Sequence, residues 1–250
     1  MSGGAPEAFA PGETIALRPG LHIPDWSGLR DPEGRAALAA SMAVAGRRRK
    51  WAALDAQEER VRRAVLRHFA AGHGPLAARD LGAVVEEPEA VLQRLRQRDL
   101  IVLDVAGAMV TAAYPFSGLP TAHRVTVRDV TVHALCSIDA LGVGGMLGAD
   151  AVVSSACAHC GAPVKVVVCE GGQRLHAHQP AAVVVWAGTR YEGGCAATSG
   201  CTLKPFFCSA AHLEAWRGNT DPGGAGIRLS VQAAFQVGLA LFGPMLTDAA

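Results

Sequence analysis

The chain has 250 residues, 50% hydrophobic and 18% charged, enough for a packed core and unlike a disordered chain. A net charge of +1 supplies no global field that would draw it to nucleic acid or a membrane surface. No apolar run of about 18 residues and no basic start leading into an apolar stretch is present, so neither a spanning helix nor a signal peptide is expected; the chain reads as cytoplasmic.

Residues 1–34 are rich in Gly, Pro and Ala and show no sustained period. They read as a flexible extension that touches the body through Leu21, Ile23 and Trp26. A helix over 35–49 ends in Arg47, Arg48, Arg49 and Lys50, read as a solvated helix end. Residues 1–54 as a whole form an N-terminal extension.

Residues 55–115 form a second unit. Asp55 caps a helix over 55–71 whose apolar face is Val61, Val65, Leu66 and Phe69. Gly72-His73-Gly74-Pro75 breaks it, and a short helix follows at Leu76–Leu81. Pro88 starts a third helix with Ala90, Val91, Leu92 and Leu95 on its apolar stripe. Leu100–Leu103 and Met109–Tyr114 flank Ala106-Gly107 as a hairpin. Three helices and a hairpin make a winged-helix-like arrangement. It suits DNA binding or a structural platform equally, and Arg94, Arg96 and Arg98 fan around their helix instead of forming one basic face.

The third unit is 121–250. Arg124–Val127 reads as a strand and Val130–Leu141 as a helix. Ala151–Ser154 and Pro163–Val168 form an antiparallel pair, and Ala181–Trp186 another strand. A long loop spans 187–208. Ala210–Arg217 reads as a helix, Ile227–Ser230 as a strand, and Val231–Leu246 as a closing apolar helix. The expected fold class is therefore α+β: a winged-helix-like helical region, then a mainly antiparallel α+β domain.

All seven cysteines lie after residue 135: Cys136, Cys157, Cys160, Cys169, Cys195, Cys201 and Cys208. An odd count without an export signal argues against a disulfide scaffold and for soft-metal chemistry or catalysis. Cys169 and Cys195 read as small buried apolar residues. Cys136-Ser137-Ile138-Asp139 would place a thiol and a carboxyl on one helical face. Thiolate is the softest common protein ligand, and a carboxyl can relay a proton as base and then acid. Cys157 and Cys160 have the spacing of a zinc half-site; a second half could come from Cys201 and Cys208 or from His176 and His178, at irregular spacings that do not force a zinc reading. Cys201, on a Gly-preceded loop, is followed by Phe206, Phe207 and Trp216.

These three motifs, in this order, resemble the alkylmercury (organomercurial) lyase family. Its members join a winged-helix-like region to a catalytic domain with a Cys-x-x-Asp helix and a Ser-Ser-x-Cys-x-x-x-Gly-x-Pro-Val turn, matched here by Ser154–Val164. A later Cys stands before Phe-Phe and Trp. The likeness spans roughly 57–246. It departs at His133 and Leu135, where aromatic residues are common, at Thr202, where a second Cys is common, and at Cys160 and Cys208, which are additional.

The resemblance implies protonolytic cleavage of a carbon–mercury bond, giving a hydrocarbon and a thiol-bound mercuric ion. Cys136 and Cys201 would bind the mercury, Asp139 would manage the proton, and Cys157 would be structural. No organic cofactor is implied. The substrate would be an organomercurial small molecule, and small thiols or a mercuric reductase would accept the ion. Specific nucleic-acid binding is not expected. Two other readings stand beside it: a winged-helix regulator sensing a soft metal, and a lyase relative with a structural zinc site. Asp139 discriminates against the first, because a sensor needs thiols but no proton donor.

Overall fold

A computed structural model describes residues 7–247 of the chain. The N-terminal segment departs from expectation. Within the described residues it is a packed part of the molecule; residues 1–6 of the expected extension lie outside them. Strands β1 (Ile15–Arg18) and β2 (Leu21–Ile23) form an antiparallel hairpin. It turns at Gly20, whose positive φ of 76° suits a residue without a Cβ. Ile15, Leu17, Leu21 and Ile23 are buried in alternation. A period of two lasting only a few residues is easily hidden by Gly, Pro and Ala. Helix α1 (Pro32–Val44) follows; Asp31 caps it by accepting from the Gly34 amide at 2.8 Å, and Leu38 and Met42 face the core.

The basic run is likewise more than a solvated helix end. It forms a separate short helix, α2 (Arg47–Trp51). The Arg47 guanidinium is buried 4.5 Å above the Trp51 ring. Lys50 meets the Tyr191 hydroxyl, and Arg48 pairs with Glu7 and Glu13.

Helix α3 (Ala56–Ala70) starts at Asp55 with the full reciprocal capping box to Glu58. The expected helix at 76–81 is a two-residue strand, β3 (Leu76–Ala77), then a 3₁₀ turn over Ala78–Leu81. Helix α4 (Pro88–Gln97) and the hairpin of β4 (Ile101–Leu103) and β5 (Met109–Ala113) form where expected. Arg94 in α4 and Arg98 at its C-cap are engaged by the chain itself, whereas Arg96 is exposed. Arg98 donates to Glu58 and to the carbonyls of Lys50 and Ala52, and Arg94 reaches Glu58 and Asp55.

Strand β5 also pairs with β3 and with β6 (Phe116–Ser117), so this hairpin is continuous with the main sheet. That sheet adds β7 (His123–Val127), β8 (Val130–Ala134), β9 (Ala151–Ala156), β10 (Pro163–Cys169) and β11 (Arg174–Gln179). Its order is β11-β10-β9-β7-β8-β6-β5-β3, with β4 on β5, and every pairing is antiparallel. A second sheet holds β12 (Val184–Gly188) between β13 (Phe206–Phe207) and β14 (Gly226–Ser230).

The expected helix over 130–141 splits. Its first half, Val130–Ala134, is β8, as suits Val130, Thr131 and Val132; the helix α5 runs Ser137–Leu147. Helix α6 (Ala210–Thr220) covers the small sheet, and α7 (Val231–Phe242) crosses α5. The crossing is glycine on glycine: a Cβ on Gly142 would stand 2.6 Å from the Gly238 carbonyl oxygen. Among the described residues no helix is long and apolar enough to cross a membrane.

Candidate active site

Cys136 leaves β8 in extended conformation and occupies the N-cap of α5. Its sulfur accepts the backbone N–H of Asp139 at 3.4 Å, a place where Ser or Asp more often serves. Thiol and carboxyl therefore meet at a helix start, not on one helical face as the spacing predicts. The Ser137 amide donates to the Lys204 carbonyl at 3.0 Å and ties this helix start to the long loop.

That loop carries Cys201 at the start of a 3₁₀ turn, Cys201–Leu203. Two buried residues from the segment before β6 hold it. Asp99 accepts the Ala196 amide at 3.2 Å and the Tyr114 hydroxyl at 2.9 Å. The same hydroxyl accepts the Ala197 amide at 2.8 Å, and the Cys201 amide donates to the Ala196 carbonyl at 2.7 Å. The result sets the Cys201 thiol 3.6 Å from Oδ2 of Asp139. One ligand atom each from Cys136, Asp139 and Cys201 lies within 4.8 Å of the others, and all three residues are buried.

Burial sets the electrostatics. It raises the Asp139 carboxyl from 3.8 to about 6, against the opposing pull of the Cys136 contact and the Lys204 and Arg47 cations. The Cys201 thiol is held well above its ordinary range, first by the hydrogen bond with Cys136 and then by burial. The cluster lines a cavity of about 20 Å³. Ala37, Leu38 and Ser41 of α1 form part of its wall, with Arg47 and Lys204 as its cations. This space holds about one water.

Cys157 lies apart from these three. It stands in a second group with Cys160, Cys208 and His212, whose ligand atoms also lie within 4.8 Å of one another. Burial pushes the Cys157 thiol up, but the amides of Cys208 and Cys160 and the His212 ring outweigh it and bring it to about 6. The companions of Cys157 and Cys160 are thus neither Cys201 with Cys208 nor the His176 and His178 pair, which sits on β11. Cys169 and Cys195, expected to be buried, are both only partly buried.

Sequence reasoning missed Arg47, Asp99, Tyr114, Lys204 and His212. Only His212 left a usable signal, four residues after Cys208 across a helix start. The others act through distant chain segments.

The family model for MerB, alkylmercury lyase, matches residues 116–243, just over half of the chain. Among solved structures, the crystal structure of the mercury-bound form of MerB2 is similar with a TM-score of 0.67 at 21% identity. The match covers 87% of this chain and 100% of that one. At that identity the likeness speaks for the fold, and it reaches well beyond the family-model match.

Proposed function

The chain belongs to the alkylmercury lyase family, an enzyme class that cleaves carbon–mercury bonds, and we propose that Cys136, Cys201 and Asp139 carry that reaction here. The observation that carries this assignment is the convergence of two buried thiols and one buried carboxyl within 4.8 Å. Mercury is a soft ion and takes thiolates by preference.

One thiol adds to the organomercurial cation and gives up its proton. The second thiol, Cys201, binds the same mercury and passes its proton to the Asp139 carboxylate at 3.6 Å. The protonated carboxyl then delivers that proton to the departing carbon. The carbon keeps the electron pair of the breaking carbon–mercury bond and leaves as hydrocarbon. Mercuric ion remains on two thiolates, and one proton is released overall. A carboxyl near 6 is suited to both halves of this relay at neutral pH.

The chain's own residues supply all of these groups, and no organic cofactor enters the scheme. Small thiols or a mercuric reductase are the acceptors we propose for the ion, and the cytoplasm is the compartment we propose. Nucleic acid has no part in this reading, since Arg94 and Arg98 are engaged with carboxylates and carbonyls of the chain itself.

The test is hydrocarbon release from an alkyl- or arylmercury salt in excess thiol, measured by gas chromatography beside mercury retained on the protein. Cys136→Ser and Cys201→Ser should nearly abolish release, because a hydroxyl is a poor mercury ligand. Asp139→Ala should retain the organomercurial and turn it over about 10²–10⁴-fold more slowly. Cys160→Ser and Cys208→Ser should cost far less per folded chain, because neither thiol belongs to this cluster. Wild-type turnover by Cys201→Ser would remove that residue from the site.

A further inference from the structure

We propose that Cys157, Cys160, Cys208 and His212 bind one zinc ion, at a structural site separate from the mercury-reactive cluster.

The donor set is Cys₃His, one of the closed tetrahedral sets that hold structural zinc. Its four residues come from three elements. Cys157 follows β9, and Cys160 lies three residues on in the turn to β10, where Gly161 adopts a positive φ of 73°. Cys208 follows β13, and His212 stands in the first turn of α6, whose N-cap is Ser209. Cys-x-x-Cys on a tight turn facing Cys-x-x-x-His at a helix start gives two short-range pairs converging on one point.

The distances fit an ion. Zinc–sulfur bonds of about 2.3 Å at tetrahedral angles put two sulfurs roughly 3.8 Å apart, and sulfur and nitrogen roughly 3.6 Å apart. Cys160 and Cys208 sulfurs are 3.8 Å apart, and Cys157 sulfur is 3.7 Å from Nδ1 of His212. The Cys208 sulfur, 3.1 Å from the same nitrogen, is closer than that geometry and would have to move outward. No disulfide accounts for the cluster, since 3.8 Å is far beyond a sulfur–sulfur bond and all three cysteines are free. Nδ1 of His212 is the nitrogen that faces the sulfurs, and the His159 ring lies 4.8 Å away, tilted against it.

The location gives the ion work to do. A small separate core lies beneath it: Cys157, Trp186, Phe207 and Leu213, with Cys208 and Trp216 at its edge. So few buried residues make a weak core, the situation in which a metal commonly supplies stability. The site also joins the main sheet to the small one. Among the described residues, the backbone links there are the bridge between Cys157 and Phe206 and the Ala158 amide donating to the Phe206 carbonyl at 3.0 Å. Phe206 lies five residues after Cys201, so a clamp here fixes the far end of the segment that carries that thiol.

The experiment uses the full chain purified with reductant from zinc-supplemented medium, with metal content read by mass spectrometry. One zinc per chain is expected, retained in Cys136→Ser and Cys201→Ser and lost in Cys208→Ser and His212→Ala. Cobalt exchanged into the wild-type chain should show the visible absorption of a tetrahedral thiolate site, which covers the case in which the cysteine variants do not fold. Removal of the metal by chelator should lower the midpoint of thermal unfolding, and zinc should restore it. Substoichiometric metal with no cobalt spectrum overturns the proposal. So does zinc that leaves with Cys136 or Cys201 and stays in Cys208→Ser, or a Cys160–Cys208 disulfide in the reduced preparation. None of these readouts depends on carbon–mercury cleavage.

Discussion

The buried carboxyl of Asp139 is held in a state that favours its proton, and that has a thermodynamic consequence. Its pKa is about 6 in the folded chain against 3.8 when free. A raised pKa means that the folded state binds the proton more tightly than the unfolded one. The associated stability is complete below pH 3.8 and is lost as pH rises through 6. Above that point the fold carries an ionised carboxylate with little solvent. Asp139→Asn should remove this cost while its amide oxygen still accepts from Cys201. The variant's stability relative to wild type should therefore climb between pH 4 and pH 7.5, by roughly 3 kcal/mol for a shift of this size. Urea unfolding of both proteins across that range measures it. A flat difference would mean that Asp139 titrates like an exposed carboxyl, and would weaken its role as proton donor near neutrality.

At the scale of elements, the reactive thiols depend on two connections that belong to no helix or strand. Cys136 is placed by the cap of α5, and Cys201 by the Asp99–Tyr114 clamp on the loop before it. Tyr114→Phe should expose that clamp. It removes the hydroxyl bridging the Asp99 carboxylate and the Ala197 amide, leaving buried polar groups short of partners at a cost of about 1–3 kcal/mol. Amide exchange should quicken over residues 195–203 and stay slow in α5; uniform quickening would show only global destabilisation. The same contrast explains what could be read from the sequence. Helices with local start signals and apolar stripes, such as α3 with its Asp55 cap and α4 with Pro88 in its first turn, are legible because those signals are local. The pairing of Cys136 with Asp139 was legible as a spacing, though the backbone that joins them is a cap. Strand β11 was not, because Arg174–Gln179 is largely exposed and alternates weakly. Arg47, Asp99 and Tyr114 were invisible because their partners are far along the chain. So was the β1–β2 hairpin, too short to show a period amid Gly and Pro.

The whole molecule is closed by charge as well as by its core. Glu59 of α3 is buried and accepts from Arg18 of β1 at 3.0 Å and from Arg62 at 2.7 Å. Arg62 continues to the Met245 carbonyl at 2.9 Å, while Arg18 and Arg63 reach the Thr247 carbonyl at 2.7 and 2.9 Å. One carboxylate thus organises the cations that dock the C-terminal turn and the N-terminal hairpin onto α3. The same N-terminal segment leads into α1, which walls the reactive cavity through Ala37, Leu38 and Ser41. Glu59→Gln keeps the shape but leaves Arg62, almost wholly buried, without its counter-charge. Removing one partner of a buried ion pair costs about 3–5 kcal/mol, far more than a surface pair. The expected result is a large fall in the urea midpoint, with tryptophan fluorescence and far-ultraviolet circular dichroism still moving together. The N-terminal hairpin, α3 and the C-terminal turn should then lose structure in one step. A midpoint within error of wild type would show that water already reaches this network. Two separated transitions would show instead that the N-terminal segment comes away from the body by itself, opening the wall of the cavity before the sheet unfolds.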